Sequence, residues 1–280
     1  MKTVKLTDMK NIIVATDFSN TADNATNYAA DMARAIKGKL LLLHVYQVPV
    51  SYMEVPMPVF EENFMDDAED AIEKLREELL LRTNNEVEIS TELRMGFFHE
   101  ELKEICGFFQ PYAVIMGSQG KTAAENFLFG GHSVYAMKYL DWPLITVPPS
   151  AKFEAIKKIG LACDFDDVVE TTPADEIKHM VTDFNAELHI VNTSKNKVIE
   201  PREIFESGMM QEMLGVVHPE YHFISTPDID SGILEFCDKN HIDLLIVLPK
   251  RRDFIERLLH RSHTKHFVLH SHVPVMALHD

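Results

Sequence analysis

The sequence predicts an α/β protein made of two tandem domains, each a doubly wound parallel sheet. Three observations carry that prediction. The chain has 280 residues, about twice the commonest domain size. Short β-branched or leucine-rich runs alternate with longer stretches of helical periodicity. The whole order then repeats, which indicates duplication.

In the first half, "NIIVATD" (11–17) reads as a buried strand ending on a polar residue. "TADNATNYAADMARAIKGK" spaces its apolar residues as a helix does, and Gly38 stands where that helix would stop. "LLLLHVY" (40–46) is apolar almost throughout, as expected of a strand covered on both faces. "QVPVSYMEVPMPVF" (47–60), rich in proline and methionine, reads as a loop. There follow an amphipathic helix, "EENFMDDAEDAIEKLREELLLRT", a strand, "EVEISTELRMG", and a further helix, "FHEELKEICGFF". The strands "YAVIMG" and "PLITVP" flank a last helix, "GGHSVYAMKYLD". Five strands alternating with helices imply right-handed crossovers and a parallel, Rossmann-like sheet.

The second half opens with "KKIGLACDFDD" as the first opens with "MKNIIVATDFSN", so Asp164 answers Asp17. "AELHIVNT" answers "GKLLLLHVY". Residues 243–278 align without a gap on 112–147, pairing His132 with His263 and Pro143 with Pro274. "PPSAKFEAI" (148–156) is the expected junction, giving domains 1–150 and 151–280.

Composition narrows the function. With 27 basic and 44 acidic side chains the net charge is −17, a field that repels phosphate backbones and argues against nucleic acid as a partner. No apolar run approaches the ~20 residues of a membrane helix, and "MKTVKLTDMKNIIVATDFS" lacks the apolar core of a secretory signal. Cys106, Cys163 and Cys237 are scattered and odd in number, which fits thiols in a reducing cytoplasm. The expected protein is cytoplasmic, without nucleic-acid or membrane partners.

Eleven glycines serve the whole chain, yet Gly117, Gly120, Gly130 and Gly131 crowd one loop between a strand and a helix. In doubly wound sheets ligands sit beyond the carboxyl ends of strands, and the free amides at a helix N-terminus bind phosphate. Gly117 and Gly120 would admit a ligand close to the backbone, and Gly130 and Gly131 would present amides. Ser133 would donate a hydroxyl hydrogen bond and Lys121 would add charge. Asp17, at the tip of the first strand, would accept from a ribose hydroxyl or an adenine amine. The same glycines also suit a plain turn and cap. Neither GxxxxGK[ST] nor GxGxxG is present.

"GSQGKTAAENFLFGG" fits G-x2-G-x9-G and so resembles the ATP-binding signature of the universal stress protein family. "IIVATDFSNTADNATNYAADMA", "LLLLHVY" and "WPLITVP" resemble that family's first strand and helix, second strand and last strand. The resemblance spans 10–149 and, more weakly, 157–278. It implies a five-stranded parallel sheet of order 3-2-1-4-5 in each half. It also implies an adenine nucleotide, ATP or a relative, lying near Ala15, Thr16, Asp17 and Val45. The phosphates would lie along Met116, Gly117, Gly120, Gly130, Gly131, His132 and Ser133, with Mg²⁺ able to join them at Asp17. A stress-response, regulatory role without catalysis follows, with pairing as a homodimer or as an intrachain pseudo-dimer. Slow ATP hydrolysis and a ligand-free interaction scaffold are the alternatives. Gly131 departs from the family, which usually has Ser or Thr there.

The second copy aligns Leu248 with Gly117, Arg251 with Gly120, Arg261 with Gly130 and Ser262 with Gly131. Bulky side chains where backbone should meet phosphate predict no nucleotide there. Lys250, Arg251, Arg252, Arg257 and Arg261 form a basic cluster, read mainly as paired or solvated. His260, His263, His266 and His270 are read as a helix face rather than a metal site, and His44 as a satisfied crevice residue.

Overall fold

Ile12, Ile13 and Val14 are fully buried, because the strand that carries them has neighbours on both sides and helices on both faces. The computed structural model describes residues 10–46, 58–118, 131–194, 201–249 and 263–279. That first strand, β1 (Asn11–Ala15), leads through α1 (Asn20–Ile36) to β2 (Lys39–Tyr46). Then come α2 (Pro58–Arg82), β3 (Ile89–Met95), α3 (Phe98–Phe109), β4 (Ala113–Gly117), α4 (Gly131–Tyr139) and β5 (Leu144–Val147). The second half repeats the plan with β6 (Lys158–Ala162), α5 (Val168–Thr171), α6 (Ala174–Phe184), β7 (Glu187–Ser194) and α7 (Pro201–Leu214). It ends with β8 (Glu220–Ser225), α8 (Ile229–Asn240), β9 (Leu244–Val247), α9 (His263–His270) and β10 (Val275–Ala277).

Among the described residues, ten strands form one sheet of order β3-β2-β1-β4-β5-β10-β9-β6-β7-β8. Each half is parallel within itself, in the expected order 3-2-1-4-5. The halves meet where β5 and β10 pair antiparallel, Ile145 opposite Met276, Thr146 opposite Val275 and Leu144 opposite Ala277. Ile145 and Met276 are equivalent positions of the two copies, so a local twofold axis passes between them. The other two pairs are mates across that axis. The intrachain pseudo-dimer is therefore built by the last strand of each copy, and α4 packs on its counterpart α9.

Two apolar layers cover the sheet. One runs from Ile12, Leu42 and α1 through Ile145 and Met276 to Leu161, Ile190 and α6. The other runs from Ile13, Leu43 and α3 through Leu144 and Val275 to Leu245 and α8. Both cross the seam without a break, so the two halves share their core. At the seam's flank, Lys10 pairs with Asp183 at 2.5 Å, and Asn24 Nδ2 donates to the carbonyls of Pro148 and Ala151 in the connecting segment. Among the described residues no helix is long and apolar enough to cross a membrane.

Local chemistry adjusts three sequence expectations. Helix α2 starts at Pro58, inside the stretch read as loop, because proline suits the first helical position where no N–H is needed; 47–57 lies outside the described residues. Helix α1 ends on Lys37, at φ 54, rather than on Gly38. Gly38 is required for another reason: a Cβ there would stand 2.6 Å from the Lys10 carbonyl oxygen. The counterpart of the unbroken α1 is split into α5 and α6 at Thr172–Pro173. Proline supplies no N–H and holds the preceding residue extended.

Lys37 and Gly38 make a paired test. Lys37→Gly relieves a left-handed non-glycine residue and should stabilise by up to about 1 kcal/mol. Gly38→Ala forces a backbone shift and should cost about 1–3 kcal/mol. Opposite changes in thermal midpoint are expected.

Candidate functional site

Strand β1 lies between β2 and β4, so the chain winds away from it in both directions and leaves a crevice at its carboxyl end. Its floor is Ala15 and Thr16, both buried. Thr16 extends the strand by donating its N–H to Leu43 O at 2.9 Å. Next, Phe18 adopts φ 57 and turns the chain sharply into α1. Two side chains hold that turn. Thr16 Oγ1 accepts from Phe18 N at 3.0 Å, and Asp17 Oδ1 accepts from Ser19 N at 3.1 Å. Ser19 then caps α1, its hydroxyl accepting from Ala22 N at 3.2 Å.

The walls come from the neighbouring strands, which run further than β1. Ala15 is level with Leu43, so Val45 overhangs the end of β1. His44 Nδ1 bonds Thr16 O at 2.8 Å, and its ring lies 4.6 Å from that of Phe18. His44 is thus a satisfied crevice residue, as expected. On the other side, Met116 is buried and Gly117 closes β4. A Cβ on Gly117 would meet Thr21 Cγ2 at 2.9 Å and Thr21 O at 3.0 Å. Close packing of α1 therefore already demands glycine at this position, whatever binds beside it.

Helix α4 enters with Gly131, His132 and Ser133 in its first turn. Ser133 Oγ donates to Gly117 O at 2.8 Å, which ties the helix start to the end of β4. In this structure its hydroxyl hydrogen serves that bond and not the phosphate contact read from the sequence. At Gly131 a Cβ would meet no described atom within 4 Å. Packing against the described residues does not require glycine there, and they leave room for a hydroxyl-bearing side chain. Ala15, Thr16, Asp17, Val45, Met116 and Gly117 lie at or just beyond the carboxyl ends of β1, β2 and β4, and Gly131, His132 and Ser133 lie in the first turn of α4. Gly120, Lys121 and Gly130 lie outside the described residues.

No motif in the sequence marks His99. It sits in the first turn of α3, its Nε2 3.2 Å from His132 Nδ1, with its ring 3.9 Å from Tyr135. Phe98 closes the cluster, 4.9 Å from the His132 ring. No spacing rule links position 99 to position 132; only the approach of two helix starts joins them. Burial, then the charge of His132, brings His99 down to about 4. Burial also lowers His132, while Asp17 opposes that shift.

The second copy keeps the turn but not the glycine that closes the fourth strand. Cys163 Sγ accepts from Phe165 N, Asp164 Oδ1 accepts from Asp166 N, and Phe165 has φ 51. Where Gly117 closes β4, however, Leu248 stands half-buried against the core. Lys250, Arg251, Arg252, Arg257, His260, Arg261 and Ser262 lie outside the described residues. In α9 the His266 and His270 rings are 4.5 Å apart, with His266 Nδ1 3.9 Å from Asp230 Oδ2. Cys106 and Cys237 are buried, and burial pushes each thiol to about 12, so neither is reactive near neutrality.

His99 sets an acid dependence. Its folded value lies below the unfolded value of 6.5, so the unfolded chain takes up the proton first. The associated stability is complete above about pH 6.5 and is lost as the pH falls toward 4. The melting temperature of His99→Gln should fall less between pH 7 and pH 5 than that of the wild type.

The universal stress protein family model matches residues 9–148 and again 155–279. A universal stress protein from Archaeoglobus fulgidus shares this fold over 96% of both chains, at 16% identity and a TM-score of 0.72. A protein of Pseudomonas aeruginosa described as a putative universal stress protein covers 97% of this chain and 93% of its own, at 15% identity and a TM-score of 0.63. A universal stress protein solved in complex with cAMP aligns with 45% of this chain and 98% of its own, at 18% identity and a TM-score of 0.38. No curated protein matches the sequence.

Proposed function

The chain belongs to the universal stress protein family, and from that premise we propose that its first half binds ATP or a related adenine nucleotide in a regulatory, non-catalytic role. The observation that carries this reading is the meeting of Asp17, Gly117 and the first turn of α4 at the point where the strand order reverses. Adenine and ribose would lie over Ala15, Thr16, Asp17 and Val45. Phosphates would face the amides at the start of α4, with Gly120, Lys121 and Gly130 supplied by the loop before it. The open space at Gly131 supports the fit, since nothing described there obstructs a ligand. Mg²⁺ would add charge neutralisation beside Asp17. Domains 1–150 and 151–280 divide the work: the first binds, and the second holds the pseudo-dimer. The setting is the cytoplasm, and any homodimer would pair two such pseudo-dimers.

One observation favours a second reading, an interaction scaffold without nucleotide. Ser133 donates to Gly117 O, and position 131 has no hydroxyl, so two phosphate donors of the family pattern are missing. Slow ATP hydrolysis would in turn depend on Asp17.

Nucleotide released by denaturing the purified protein, followed by calorimetric titration with ATP, AMP and cAMP, separates these readings. About one adenine nucleotide per chain is expected. Gly130→Leu should abolish binding while leaving the melting temperature nearly unchanged. Gly131→Ser should tighten ATP binding by about ten- to a hundredfold, the worth of one hydroxyl bond to a charged acceptor. No binding heat, in the wild type and in Gly131→Ser alike, would favour the scaffold.

A further inference from the structure

Strands β7 and β8 bring two histidines and a glutamate together on one face at their amino ends. His189 on β7 lies directly opposite Glu220 on β8, and Val191 opposite His222. The period of two along a strand therefore puts the side chains of His189, Glu220 and His222 on the same side of the sheet. His189 Nδ1 is 3.1 Å from His222 Nε2 and 3.5 Å from Glu220 Oε2, and that oxygen is 4.0 Å from His222 Nε2. Among the described residues these three form the one group of metal-ligating side chains with mutually close ligand atoms.

We propose that His189, Glu220 and His222 form a zinc(II) site with an open fourth position.

The separations fit such an ion. Given the three distances, one point lies about 2.1 Å from all three atoms, the length of a zinc–nitrogen or zinc–carboxylate bond. Two imidazoles and one carboxylate suit zinc and its neighbours among the transition metals, whereas calcium and magnesium take oxygen. His189 supplies an independent observation. Its side chain is only 5% exposed, and Nε2 has no hydrogen-bond partner. That nitrogen faces Glu187 Oε2 at 3.5 Å. A metal-bound histidine commonly directs its other N–H at a carboxylate, which fixes the tautomer and strengthens the ligand. With Nε2–H toward Glu187, Nδ1 is left as a lone pair facing Glu220 and His222.

The surroundings hold this arrangement. The His222 ring stands between His189 and Phe236 of α8, with the Phe236 centroid at 4.8 Å. Gly160 is level with His189 on the adjoining strand and leaves that side to Ile242. Glu220 is 65% exposed, so the ion and its fourth ligand, a water, would enter from solvent. Four strands separate β4 from β7 in the sheet, so this site is distinct from the crevice beside Asp17. Bound zinc would fasten the edge strand β8 to β7.

The test uses the full chain, stripped with a chelator and titrated with zinc chloride by calorimetry at pH 7. Cobalt(II) absorption serves as an independent probe of coordination. One zinc per chain is expected at this site, with a zinc-dependent rise in melting temperature. Glu220→Gln and His222→Gln should each weaken binding at least tenfold and abolish that rise. Glu187→Gln should weaken it by about ten- to a hundredfold through orientation alone. His189→Asn removes a buried ring and can disturb folding; the more exposed Glu220 and His222 variants, checked by circular dichroism, carry the decision. Affinity weaker than about 1 mM, or zinc binding unchanged in both Glu220→Gln and His222→Gln, would overturn the proposal. The second result would assign the metal to the C-terminal histidines or to Cys163.

Discussion

The antiparallel pairing of β5 with β10 is the contact on which the rest of the molecule depends. Leu144, Ile145 and Val147 are almost wholly buried on a strand that would otherwise be the open edge of a five-stranded sheet. An apolar edge with free backbone donors and acceptors invites uncontrolled pairing. Here the equivalent strand of the second copy satisfies it, and both core layers continue across. The same pairing reverses one half end for end relative to the other, so the carboxyl ends of the strands in the two halves point in opposite directions. The crevice at Asp17 and the matching turn at Asp164 therefore lie at opposite ends of the sheet's strands.

That architecture explains which features of the duplication persist. The turn after the first strand survives in both copies, with Phe18 and Phe165 at positive φ and a carboxylate accepting two residues on. It has to persist, because it directs the chain from the sheet into the covering helix. Closeness of backbone at the end of the fourth strand has not persisted. Gly117 lies against the first turn of α1, whereas the equivalent Leu248 is half-buried against the core. The break at Pro173 separates α5 from α6 in the helix matching α1. Both copies nevertheless keep the last strand that forms the seam.

Residues of different origin meet at the candidate crevice. Asp17 and Gly117 stand out in the sequence, since each ends a buried apolar run where a ligand would sit. Ser133 stands out too, but its partner does not: the Gly117 carbonyl is sixteen positions away and meets it only because α4 packs back onto β4. His99 and His132 touch because two helices start on the same rim. The same holds on β7 and β8, where the parallel register, invisible to any local motif, sets His189 beside Glu220 and His222.

The sequence alone determined the α/β class, the duplication, the strand order through family resemblance and the loss of glycines in the second copy. All of these are written in local periodicity and in residue types that only certain backbones accept. The tertiary structure decided how the copies join, which glycines answer to packing, and which histidines become neighbours. Those outcomes rest on contacts between residues far apart in the chain. Their closeness is fixed by strand register and helix packing, and no short stretch of sequence encodes either.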